Sequence, residues 1–205
     1  MKTKELHYLS GLLIALFVGL HLFNHFTSIY GAQVHIQWMN RLRVVYRNPI
    51  IEVVLLSAVV VQIVSGIHLF RKKRRVMLNR FGKLQIWTGM YLALFLVIHV
   101  SAVLVGRFIL NLDTNFYFGV AGINTFPFSL FFVPYYFLAV VSFSGHIAAI
   151  HAQKMPKSVL GVSPKFQSLI ILLVGCMLSV VLLFGATNHF KGQPIPSEYD
   201  VLIGK

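Results

Sequence analysis

Cysteine occurs once in the 205 residues, as Cys176, and aspartate and glutamate together occur only five times. A single thiol excludes a disulfide framework and any metal centre built on cysteine pairs, and no structural-zinc spacing of cysteines and histidines is present. The shortage of acids also weighs against a buried proton relay, which would want carboxylates inside the apolar segments. Glu52, near the start of one of them, is the single acid so placed. Charged residues make up 11% of the chain against 57% hydrophobic ones, and the mean hydropathy is +0.77. That balance excludes a soluble core and fits a polytopic membrane protein. The net charge of +13 does not point to nucleic acid, because the basic residues are confined to short segments between apolar runs.

Windows of about twenty residues give five candidate spans, near 7–29, 49–71, 83–108, 127–152 and 166–188. The expected fold is therefore all-α, a five-helix transmembrane bundle forming one domain over residues 1–205. No internal repeat or low-complexity tract stands out. The first apolar stretch is too long and too polar for a cleaved signal, and Cys176 reads as a packing residue of the last span. The connectors, such as GAQVHIQWMNRLRVVYRN and RKKRRVMLNRFGK, mix turn formers with charge, Trp and Tyr, as interfacial segments do. Twelve Lys and Arg residues fall on the side of the N-terminus and six on the other, which predicts a cytoplasmic N-terminus and an external C-terminus. The tail HFKGQPIPSEYDVLIGK reads as an exposed arm.

Nine histidines are the informative excess in so apolar a chain. Gln85 to Ser101 is long enough to cross a bilayer and carries His99 in its outer half, with Gln85 and Thr88 on the same helical face. An imidazole in hydrocarbon needs a partner, a cavity or a metal. His21 and His99 each lie fourteen residues above the inner start of a span, about 21 Å at 1.5 Å per residue. Two histidines at one depth on different helices can clamp one metal. His68 and His146 form a second depth-matched pair nearer the inner side. Two such pairs in a five-helix bundle suggest two b-type haems with bis-imidazole ligation. His25, one turn outward of His21, could replace it or contact a ligand. His7, His35, His151 and His189, near span ends, read as packed or interfacial residues. Gly11, Gly19, Gly66, Gly89 and Gly145 would let a flat macrocycle or a neighbouring helix approach closely.

Four stretches resemble one known family. LHYLSGLLIALFVGLHLFNHF, LQIWTGMYLALFLVIHV, SGHIAAIHAQ and VSPKFQS are similar to stretches of the single-chain, five-helix, dihaem cytochrome b anchor of succinate dehydrogenase and fumarate reductase. The family's ligand positions fall on His21, His99 and His146. In the second span the family's H-x-x-x-G is represented by QIVSG, so Gln62 stands at the ligand position and His68 follows Gly66 by two residues. Ile150 stands where the family has a glycine after its fourth-helix histidine.

The resemblance implies a subunit of the bacterial cytoplasmic membrane that carries one or two haems b. It would dock flavoprotein and iron-sulfur subunits on its positive cytoplasmic face, at loop 71 to 83 and around Lys154 to Lys165, and exchange electrons with membrane quinone, menaquinone being the kind expected of a dihaem enzyme. Depth nominates His25, Glu52 and Arg47 for the quinone site. The alternatives are a haem-free proton-handling transporter or assembly protein, and a cytochrome b serving another reductase.

Overall fold

The computed structural model describes residues 2–73 and 79–205; within the basic run after the second span, Arg74 and Arg75 lie outside the described residues. Seven α-helices follow in order: α1 (Thr3–Phe26), α2 (Ala32–Tyr46), α3 (Pro49–Lys73), α4 (Arg80–Phe108), α5 (Phe116–Val120), α6 (Ser129–Lys154) and α7 (Pro164–Ala186). Five of them, α1, α3, α4, α6 and α7, are long and apolar enough to cross a membrane, and their bounds lie within four residues of those expected. We call the end that carries the N-terminus inner.

The helix starts follow local chemistry. Pro49 and Pro164 open α3 and α7, where a missing N–H costs nothing. The side chains of Asn79, Asn115 and Ser163 accept first-turn N–H bonds at the starts of α4, α5 and α7. Gly31, at φ 110°, turns the chain from the short 3-10 extension Thr27–Tyr30 into α2.

The spanning helices close a ring. α1 packs on α3 and α7, α7 on α6, α6 on α4, and α4 meets α3. Large apolar side chains such as Leu12, Leu16, Val53, Leu173 and Met177 lie exposed on its outside, which is where lipid would accept them. Small residues are buried between helices, because close backbone approach rather than water exclusion drives association in lipid. Ser142, Ser144, Ala148, Ala149 and Ser179 are buried in this way, and the Ser179 hydroxyl donates to the Phe137 carbonyl at 2.9 Å. A Cβ at Gly175 would overlap the Ser144 side chain, so the α6–α7 seam requires glycine there.

A cap covers the outer end of the ring. Its apolar centre is Phe116, Val120, Ile123 and Ala186, with Ile36, Phe132 and Tyr136 packed around it. The connector expected between the first two spans is mostly the helix α2, whose inward face carries the buried His35 and Met39. The C-terminal tail departs from the exposed arm expected of it. It forms a 3-10 turn (Ser197–Ile203) with Tyr199 at 0% exposure and Ile203 at 5%. The Tyr199 hydroxyl donates to the Asp113 carbonyl at 3.0 Å, and Gln193 N donates to Asn124 Oδ1 at 2.9 Å. Two apolar residues four apart, with a hydroxyl that finds a carbonyl, suffice to dock so short a segment.

Gly175→Leu is expected to lower the melting temperature of the purified chain in detergent, with a cost of about 1–3 kcal/mol from overpacking. Gly19→Ala, at a position with open space around it, is expected to leave it unchanged or slightly higher. Equal melting temperatures for Gly175→Leu and the parent would contradict the α6–α7 seam.

Candidate functional site

The outer half of the ring holds a cluster of imidazoles. His21 on α1 and His99 on α4 face each other with ring centroids 6.1 Å apart and planes at 69°. Each is backed by a phenyl ring four residues earlier on its own helix. Phe17 stacks on His21 at 5.7 Å, and Phe95 on His99 at 5.1 Å. F-x-x-x-H therefore occurs on both helices, and the i, i+4 neighbour orients each imidazole. Tyr136 of α6 closes the wall around His99, edge-on at 6.3 Å.

His25 lies beside this pair rather than in it. Its Nε2 is 3.2 Å from His21 Nε2, so one of the two nitrogens carries the proton and the other supplies the lone pair. The His25 ring also faces His35 at 5.0 Å. His35, read from sequence as a residue near a span end, is 2% exposed and hydrogen-bonded through Nε2 to Asn24 Nδ2 at 3.2 Å. Burial first, then the charges of His21 and Arg43, lower the His35 pKa from 6.5 to about 4. Among the described residues, buried His35 Nδ1 and Asn24 Oδ1 have no hydrogen-bond partner. The sequence signal for His35 was the helical spacing of His35, Met39, Leu42 and Tyr46, which share one face of α2.

The other residues nominated for a quinone site are engaged elsewhere. Glu52 pairs with Arg107, tying α3 to α4 at their outer ends. Arg47 donates to Thr114 Oγ1 at 2.8 Å and lies 3.9 Å from Asp113, beside the shorter Arg43–Asp113 pair at 2.8 Å. Burial foremost, then the charges of Arg43 and Arg107, lower the Arg47 pKa, and its guanidinium serves to clamp α2 to the segment after α4. His25, Glu52 and Arg47 thus do not form one pocket. A groove of about 200 Å³ that includes His21, Asn24 and Tyr46 in its lining lies between α1, α2 and α3, with Leu16, Leu20 and Val45 exposed along it.

At the inner end the structure separates the second expected pair. His68 is exposed on α3, whereas His146 of α6 is turned inward, with Nδ1 donating to the Gln85 carbonyl at 3.1 Å. Gln62 faces α1, where its amide lies 3.3 Å from His7 Nε2.

The outer pair thus offers two imidazoles from different helices, edge-on at 6.1 Å between centroids, with His21 Nε2 turned to His25 Nε2. Among the described residues no three His, Cys, Asp or Glu side chains converge as a zinc site needs.

Folded His35 titrates near 4 and the unfolded residue near 6.5. The unfolded chain therefore binds more protons between these values, and stability is lost as pH falls through that window. His35→Gln removes this contribution, so its melting temperature is expected to drop less than that of the parent between pH 6.5 and pH 4. A drop of equal size would contradict a neutral, buried His35. In comparisons with known proteins, no family model, no curated protein and no solved structure matches this chain.

Proposed function

We propose that this chain is a haem b-carrying membrane subunit that passes electrons between a peripheral partner at its inner face and a quinone in the bilayer, as the anchor of a succinate:quinone oxidoreductase does. The observation that carries the reading is the outer pair, two imidazoles from helices that the ring holds apart, 6.1 Å between centroids and each stacked on its own phenylalanine. Haem held by His21 and His99 would supply one-electron carriage.

The chain's own residues account for the remaining parts. Phe17 and Phe95 fix the planes of the two ligands, while Asn24 and Tyr46 bring hydrogen-bonding groups to the lipid-side groove beside His21. A quinone entering from the membrane, menaquinone by the family resemblance, meets a polar end there within an apolar slot. At the inner end Arg71, Lys72, Arg80, Lys83, Lys154, Lys157 and Lys165 are exposed, a positive surface suited to an acidic face of the flavoprotein and iron-sulfur subunits. By the positive-inside bias this face is cytoplasmic.

The test is the redox response of the chain in the membrane in which it is made together with its partners. Succinate is expected to reduce a b-type absorbance and fumarate to reoxidise it, and His21→Ala or His99→Ala to abolish one b-type signal. A b-type signal that answers neither substrate would assign the chain to a different reductase. A haem-free chain would return the proton-handling reading.

A further inference from the structure

The groove between α1, α2 and α3 has one polar end. Along α1 its lining runs from Leu13 through Leu16 and Leu20 to Asn24, eleven positions or about 16 Å. The apolar stretch lies toward the middle of the ring, and the polar groups, Asn24 with Tyr46 of α2, lie at the outer end. Among the described residues, no acid, lysine or arginine lines it. Such a slot suits a long apolar molecule with a neutral polar head, and disfavours a phospholipid, whose phosphate would be desolvated without a counter-charge.

Asn24 is 5% exposed and its neighbour His35 2%. They share one hydrogen bond, between Asn24 Nδ2 and His35 Nε2 at 3.2 Å. Among the described residues, Asn24 Oδ1 and His35 Nδ1 have no partner. The rings that flank His35, His25 and Phe116 at 5.0 Å each, stack beside it and leave Nδ1 unpaired. A buried acceptor left open is disfavoured unless a ligand meets it, and this one belongs to a side chain in the lining of the groove.

A neutral imidazole and an amide can share their bond in two senses. His35 is neutral, because burial holds its pKa near 4. With the Asn24 amide donating, His35 accepts at Nε2 and carries its proton on Nδ1, and Asn24 Oδ1 remains as an acceptor. With the amide turned over, Oδ1 accepts from Nε2–H, and the Asn24 N–H groups remain as donors. The pair therefore offers an acceptor in one sense and a donor in the other, with no change of charge. A hydroquinone hydroxyl needs the acceptor, and a quinone carbonyl needs the donor.

We infer that Asn24 is the hydrogen-bonding partner of a quinone head in this groove, and that His35 lets its amide accept from the reduced form and donate to the oxidised one. This rests on the quinone-using reading above and names the residues that hold the head. His35 acts through Asn24 and is a positioning residue.

The experiment titrates the purified full chain in detergent with a naphthoquinone bearing one isoprenoid unit, oxidised and reduced, and records infrared difference spectra of the two bound states. The parent is expected to bind both forms, with the quinone carbonyl band below its frequency in empty micelles. Asn24→Val is expected to weaken both forms about tenfold and to return that band to its free position. Leu20→Trp, which fills the exposed wall of the groove, abolishes binding. His35→Leu weakens both forms, and His35→Gln, whose amide can bond Asn24 in either sense, restores them. The parent's spectra should also show the histidine ring band moving between its two tautomer positions as the quinone is reduced, a change absent in His35→Gln. That band is read on the parent and requires no variant to fold. No tautomer change in the parent, or affinities in Asn24→Val equal to the parent's, would overturn the inference. If the parent carries haem and binds the quinone while Asn24→Val binds it equally well, the inference fails and the proposed function stands. A parent that binds neither form overturns the inference and, where it also lacks haem, the proposed function with it.

Discussion

Hydrocarbon offers no hydrogen bonds, and the interior of this ring is arranged under that constraint. Polar side chains brought inside bond to carbonyls of their own helix or to a neighbouring one, and the buried histidines collect toward the two ends of the ring. On α1, no hydrogen-bonding side chain stands between Ser10 and His21. On α4, Thr88 and His99 stand eleven positions apart, about 16 Å along the axis, with the Tyr91 hydroxyl between them donating to the Tyr135 carbonyl at 2.8 Å. The inner compartment is well satisfied, by Ser10, Gln62, Ser65 and His7 on one side and by Gln85, Thr88 and His146 on the other. Among the described residues, the outer one leaves Asn24 Oδ1 and His35 Nδ1 open.

Closure of the outer end is the second organising feature. Arg43 and Arg47 hold Asp113 and Thr114, Glu52 holds Arg107, and Tyr199 from the tail reaches the Asp113 carbonyl. These contacts join α2, α3, α4 and the C-terminus into a lid over the histidine cluster. Access from the lipid side, through the groove between α1, α2 and α3, is consistent with an apolar ligand whose head carries the polarity.

The spanning helices were legible because lipid-facing residues must be apolar over the whole thickness of a bilayer, a signal that survives any detail of packing. The placement of His21 opposite His99 was also legible, since equal rise from equal starting points gives equal depth. What could not be read from depth was rotation about the helix axis. His68 has the expected height and is exposed on α3, and His7, close to the start of α1, is held by Ser65 beside Gly66. α2 and the tail were missed because their apolar faces are narrow and become meaningful only against Phe116, Val120 and the ends of the spans.

The central claim is that His21 and His99 clamp one iron between them, and its most direct measurement is low-temperature electron paramagnetic resonance of the oxidised, purified chain. Two imidazole ligands predict low-spin ferric haem without a high-spin component, and loss of one low-spin signal in His99→Ala. A high-spin signal in the parent, or a low-spin signal indifferent to His99, would contradict the account.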